Sequence, residues 1–178
     1  MMVLGISGSL RAGSHSTNLL RNAAGLADLR LWTELAGVPP FNEDHEDDPS
    51  AAVVAMRAEV AHADALLIAT PEYNATIPGQ LKNALDWLSR PYGDCELSNK
   101  PVAVVGVSPS DYGADWSQRD LRKVLGVCGA QVVERSLCIP RADQAFDNAG
   151  QLRDPAARAT LAHLFADLGD MIGERQAA

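Results

Sequence analysis

Cysteine is scarce in this chain: there are three, Cys95, Cys128 and Cys138, with no Cys-x-x-Cys pair. An odd count without that spacing argues against a disulfide framework or a zinc knuckle, and for a reducing cytosol. Positive charge is also short. Lysine and arginine total 15 against 23 acids, a formal net charge of −8. A general nucleic-acid binder or a polybasic membrane contact needs a basic face, so neither is expected. No apolar run approaches the ~20 residues of a membrane span. The amino-terminal run Met2-Val3-Leu4-Gly5-Ile6 is too short, and too poor in basic residues, for a signal peptide. The expected setting is therefore the cytoplasm.

Several chemical signatures are missing as well. Gly8 and Gly13-Ser14 have the glycine spacing of a nucleoside-triphosphate loop, but Ser14 stands where its lysine belongs. Gly5-Ile6-Ser7-Gly8-Ser9 does not meet the Gly-x-Gly-x-x-Gly dinucleotide fingerprint. Neither Ser7 nor Ser108 sits in Gly-x-Ser-x-Gly, because Ser9 and Ser110 occupy the last glycine position. His15, His45, His62 and His163 share no metal-binding spacing and read as surface or packing residues. The five acids in loop 37–49 match no calcium loop and read as solvated. No metal site is expected.

What is present suits one globular domain over residues 1–178, with 47% hydrophobic and 21% charged residues. No internal repeat or low-complexity tract divides it. Apolar runs at 2–6, 65–69 and 102–107 read as buried parallel strands, and 29–33 as a shorter edge strand. A short fifth strand is expected at 131–133, with a bend carrying it toward 137–139. Helical faces fall between them: Leu19, Leu20, Ala23, Ala24 and Ala27; then Val53, Met56 and Val60 after an Asp48 cap and Pro49. A third helix starts at Pro78 and buries Leu81, Ala84, Leu85 and Leu88. A fourth presents Leu121, Val124, Leu125 and Cys128, and a fifth opens at Asp154-Pro155. Strict β-α alternation predicts an α/β fold, a flavodoxin-like three-layer α/β/α sandwich. Its five-stranded parallel sheet would have the order 2-1-3-4-5. That topology puts three loops, 7–18, 70–78 and 108–115, on one rim.

The first loop suits an anion. Ser9, Ser14, Ser16 and Thr17 offer hydroxyls, the following helix directs its amides outward, and Arg11 supplies a cation. The second is stiffened by Pro71 and Pro78 and suits a flat heterocycle. Tyr73 can pack on a π-system, the backbone beside Pro71 and Glu72 can read a polar ring edge, and Asn74 both donates and accepts. The third can close over the same ring. One phosphate cradle beside one planar slot describes FMN better than FAD.

These residues carry a resemblance. Gly8-Ser9-Leu10-Arg11 with Ser14 and Leu19, then Pro71-Glu72-Tyr73-Asn74, then Pro78-Gly79 with Leu81-Lys82-Asn83-Ala84-Leu85-Asp86-Trp87, resemble the NADPH-dependent FMN reductase family. That family includes bacterial quinone, chromate and azo-dye reductases, and Pro40-Phe41-Asn42-Glu43-Asp44 is similar to its loop after the second strand. The resemblance implies bound FMN, NADPH or NADH as co-substrate, a small-molecule electron acceptor, and a homodimer or homotetramer. By the same analogy Ser9, Arg11, Ser16 and Thr17 hold the phosphate. Pro71, Glu72, Tyr73 and Asn74 line the isoalloxazine, and Ser108 approaches its other side. Many relatives have a small-residue, double-glycine stretch where this chain has Ser110-Asp111-Tyr112-Gly113-Ala114.

The expected activity is hydride transfer from the nicotinamide to flavin N5 and on to a quinone-like, azo or metal-oxyanion acceptor, in ping-pong order. No side chain is assigned as catalytic acid or base, since the flavin makes the bonds. Two rivals stay open: a flavodoxin-like electron carrier without its own turnover, and a flavin-free assembly subunit. Arg11 favours the reductase over the carrier. Arg119, Arg122 and Lys123 either meet a 2′-phosphate or form a solvated helix face. Trp87, Leu88 and Trp116 either exceed one core, implying a subunit contact, or sit partly buried in a monomer.

Overall fold

The computed structural model of the chain describes residues 1–177, and Ala178 lies outside them. Strands β1 (Val3–Ser7), β3 (Ala65–Thr70) and β4 (Pro101–Val107) are apolar along nearly their whole length because both sheet faces are covered. β2 (Leu29–Trp32) pairs only with β1 and forms one edge. All pairings are parallel, and the order is β2-β1-β3-β4-β5.

The sheet has six strands, one more than expected, because the fifth is broken in two. β5 (Gln131–Val132) and β6 (Leu137–Ile139) both pair with β4. Between them the Arg122 guanidinium donates to the carbonyls of Val133 and, at 2.8 Å, Arg135. Those carbonyls have left the ladder and need donors, so an arginine is recruited to the break. Arg122 is thereby removed from the candidates for a 2′-phosphate.

Helices cover both faces. On one side α2 (Ala51–His62), α3 (Gly79–Leu88) and α4 (Asp115–Val127) bury Val53, Met56, Leu81, Leu85, Leu121 and Leu125. On the other, α1 (His15–Ala24) and α6 (Pro155–Ala177) bury Leu19, Leu20, Ala23, Leu161, Leu164 and Leu168. A four-residue α5 (Ala142–Ala145) follows β6 and was not anticipated. α1 ends at Ala24, so Ala27 falls beyond its apolar face. The cap of α2 is Ser50 rather than Asp48: its hydroxyl accepts from Val53 N–H at 3.5 Å, and the helix begins two residues after Pro49.

Trp87 and Leu88 are each 1% exposed, so a single chain covers both. The Trp87 indole donates to the Pro39 carbonyl at 2.9 Å and meets Phe41 edge-on. Gln80 and Asn83, on the same helix, donate to the carbonyls of Leu35, Val38 and Pro39. The polar face of α3 thus supplies the partners that an irregular loop at 35–41 cannot find in a ladder. Arg90 pairs with Glu43 and Glu46, so two acids of the following loop are held. No helix among the described residues is long and apolar enough to cross a membrane.

Candidate functional site

The parallel sheet brings the carboxyl ends of β1, β3 and β4 to one rim, where the three loops emerge. At the first, Ser7 ends its strand and gathers the turn: its Oγ accepts from Thr17 Oγ1 at 2.9 Å and from Ser9 N–H at 3.3 Å. Ser14 caps α1 by accepting from Thr17 N–H at 3.1 Å, and its carbonyl takes the Asn18 N–H. The amides of His15 and Ser16, one residue into the helix, are left pointing outward. Ser16 Oγ is buried and has no hydrogen-bond partner. A Cβ on Gly8 would lie 2.9 Å from the end of the Leu81 side chain and 3.3 Å from Pro71, so a larger residue there requires Leu81 to move.

Arg11 is exposed and takes part in none of the ion pairs among the described residues. It borders a cavity of about 170 Å³ together with Ser7, Ser9, Thr17, Trp32 and Thr33. A buried hydroxyl without a partner is costly. Two free amides, a cation and that hydroxyl at a helix start form a donor set that fits a phosphate monoester. His15 stacks on Phe146, centroids 6.1 Å apart, a packing role.

At the second loop Tyr73 and Thr76 exchange backbone hydrogen bonds of 3.1 Å each. The two residues between them, Asn74 and Ala75, have φ of 53° and 64°. Two successive left-handed residues make a type I′ turn. Asparagine tolerates that geometry; alanine is strained in it. Tyr73 is 46% exposed at the edge of this turn. The loop is fastened to the start of α4. Ser117 N–H donates to the Glu72 carboxylate at 3.2 Å, Ser117 Oγ donates to the Pro71 carbonyl at 2.8 Å, and Thr76 Oγ1 donates to Asp120 at 2.6 Å. The Glu72 side chain therefore places its charge on a helix N-terminus, and the Pro71 carbonyl and the Tyr73 backbone are engaged within the protein as well.

The third loop is shaped by its own side chains. Ser108 is buried, and its Oγ contacts Ser110 Oγ at 3.1 Å and accepts the Ser110 N–H at 3.2 Å. Gly113 and Ala114 both have positive φ, and a Cβ on Gly113 would sit 2.8 Å from the Ile139 nitrogen. Of the nine residues expected at the site, Ser9, Arg11, Ser16 and Thr17 surround one helix start. Pro71, Glu72, Tyr73 and Asn74 form the neighbouring turn, and Ser108 is occupied within its own loop. Sequence reasoning passed over Ser117 and Asp120, which position the central turn. Their only trace was a hydroxyl and a carboxylate in the first turns of a helix.

A larger hollow of about 690 Å³, bordered by Lys82, Asp86, Cys95, Lys123 and Cys128, lies toward the carboxyl ends of α3 and α4, away from this rim. All three cysteines are free, and burial pushes the Cys128 and Cys138 thiols up, toward the protonated and unreactive form.

Comparison with known proteins bears on the same rim. The family model for NADPH-dependent FMN reductase matches residues 1–144. A NAD(P)H-dependent FMN reductase of Pseudomonas aeruginosa is 42% identical over 161 residues, covering 88% of this chain and 86% of that protein. A quinone reductase of Pseudomonas putida is 38% identical over 156 residues, covering 84% and 83%. Among solved structures, the flavoenzyme NAD(P)H:(acceptor) oxidoreductase FerB from Paracoccus denitrificans superposes with a TM-score of 0.85 at 31% identity, covering 97% of each chain.

Proposed function

The chain belongs to the NADPH-dependent FMN reductase family, and on that premise we propose that it is a cytoplasmic reductase of quinone-like acceptors working in ping-pong order. It is a flavin-dependent NAD(P)H oxidoreductase, with FMN as cofactor and NADPH or NADH as the electron source. Relatives named quinone reductase support the acceptor class. Bound FMN supplies two-electron chemistry, taking hydride from the reduced nicotinamide and returning it to an acceptor.

The protein's part is positioning. The amides of His15 and Ser16, the Ser9 and Ser16 hydroxyls and Arg11 would hold the phosphate, joined by Thr17 once its hydroxyl turns from Ser7. The backbone at Pro71 to Asn74 and the ring of Tyr73 would border the isoalloxazine, on a turn kept rigid by its ties to α4. Ser108, closed into its own turn, would act by shaping the loop on the other side. No acid or base is assigned. One shared slot for nicotinamide and acceptor accounts for ping-pong order. The single domain over 1–178 and a dimer or tetramer are part of the same reading.

The observation that carries this proposal is the buried Ser16 hydroxyl in the first turn of α1, which has no hydrogen-bond partner among the described residues, with Arg11, which forms no ion pair among them, on the loop that leads into that helix. The test is anaerobic titration of the FMN-loaded protein with NADPH and then with a quinone. Stoichiometric bleaching by NADPH alone and parallel double-reciprocal plots are expected. Bleaching that needs a partner protein would instead support the electron carrier, and intersecting plots would remove the ping-pong order.

A further inference from the structure

Tyr112 and Trp116 are 61% and 47% exposed, and their rings stack with centroids 5.3 Å apart at an interplanar angle of 21°. Their position is set by α4. Trp116 and Asp120 lie one turn apart on the same helix face, and Asp120 holds Thr76 of the central turn. Side chains on a helix lean toward its amino terminus, so the indole is directed from the Asp120 contact toward the rim end of α4. Ser117, the next residue, fixes the helix phase through its bonds to Glu72 and Pro71. The Tyr112 carbonyl accepts the Asp115 N–H at 3.2 Å, and Asp111 pairs with Arg141 at 2.7 Å, so the tyrosine end is held too.

We propose that Tyr112 and Trp116 form an acceptor-selecting platform that takes planar fused-ring quinones by stacking and disfavours inorganic oxyanions. The inference rests on the reductase reading above and narrows its acceptor class. Two rings already stacked on each other lose little rotamer freedom when a third joins them. The charges nearby point the same way. Arg119 and Arg141 are each paired, with Asp115 and Asp111, and Asp120 adds a further carboxylate. An anionic acceptor would meet a net negative surround. The reaction balances as NAD(P)H plus H⁺ plus quinone giving NAD(P)⁺ plus hydroquinone.

The test compares the FMN-loaded protein with Trp116→Leu, Tyr112→Leu and Trp116→Phe. The ratio of kcat/KM for 1,4-naphthoquinone to that for chromate should fall about tenfold in the leucine variants, through the naphthoquinone KM. Trp116→Phe should restore most of the ratio. 2-Naphthol, which cannot accept hydride, should quench tryptophan emission in the unmutated protein and not in Trp116→Phe. A ratio unchanged within about twofold in both leucine variants overturns the proposal. So does dissociation of an oligomer by Trp116→Leu with the ratio unmoved, which would make the pair a subunit contact. If NADPH fails to bleach the unmutated protein, the parent reading falls instead, while naphthol quenching still reports on the platform.

Discussion

The backbone N–H of Ser117 donates to the carboxylate of Glu72 at 3.2 Å, joining residues 45 apart in sequence. The bond places a negative charge on the positive end of α4 and locks the central turn to it. Glu72→Ala should lower stability by about 1 kcal/mol, while Glu72→Gln, which keeps an acceptor, should lose less. Urea unfolding measures both, and an unchanged midpoint in Glu72→Ala would make the carboxylate a bystander.

Ala75 tests the strain in the turn itself. Its left-handed φ of 64° costs an alanine about 1–2 kcal/mol and a glycine almost nothing, part of which glycine loses again to chain entropy. Ala75→Gly should therefore stabilise the protein by about 0.5–1 kcal/mol, and Ala75→Val should destabilise it. Thermal unfolding of both variants decides the matter. A lower transition temperature for the glycine variant would contradict the turn type.

Arg11 is the cation proposed to meet the phosphate, and it forms no ion pair among the described residues. Arg11→Ala should weaken FMN binding by about 1.5–3 kcal/mol through a lost charge-assisted hydrogen bond. Fluorescence titration of the apoprotein with FMN reads this directly. Unaltered affinity would sink the phosphate assignment.

Gly113 stands where backbones nearly touch. Its Cβ would approach the Cys138 carbonyl carbon to 2.9 Å and the Ile139 nitrogen to 2.8 Å, at a φ of 60°. Neither atom is the movable end of a side chain, so Gly113→Ala should cost about 2 kcal/mol or more. Denaturant unfolding should show the midpoint shifted far below that of the unmutated protein.

Lys100 gives a pH dependence. It is 7% exposed, donates to the carbonyls of Ala63 and Ala61, and burial holds its ammonium below the ordinary 10.5. The folded chain releases this proton at lower pH than the unfolded chain does. Between the two values the unfolded state binds more protons, so Lys100's contribution to stability rises with pH there and is flat below. Compared with Lys100→Met, the unmutated protein should gain relative stability as pH climbs toward 10.5. A difference that stays constant over that climb would contradict the lowered value.

Apolar runs such as 65–69 can only be strands covered on both faces, and alternation with helical periods leaves few topologies. The sheet order and the three rim loops were therefore legible from local pattern alone. The donor-rich make-up of 7–18, with its hydroxyls, glycines and an arginine before a helix, was legible too, and it is what motivates the phosphate proposal. The break between β5 and β6 was not, since it depends on Arg122 arriving from another helix to satisfy two carbonyls. Nor was the commitment of Glu72 to Ser117, or the burial of Trp87 beside exposed Trp116. Residue type and spacing carry what neighbours along the chain decide. Which of two tryptophans is covered, and which carboxylate is spent on structure, depends on contacts between distant segments, and only the tertiary structure decided those.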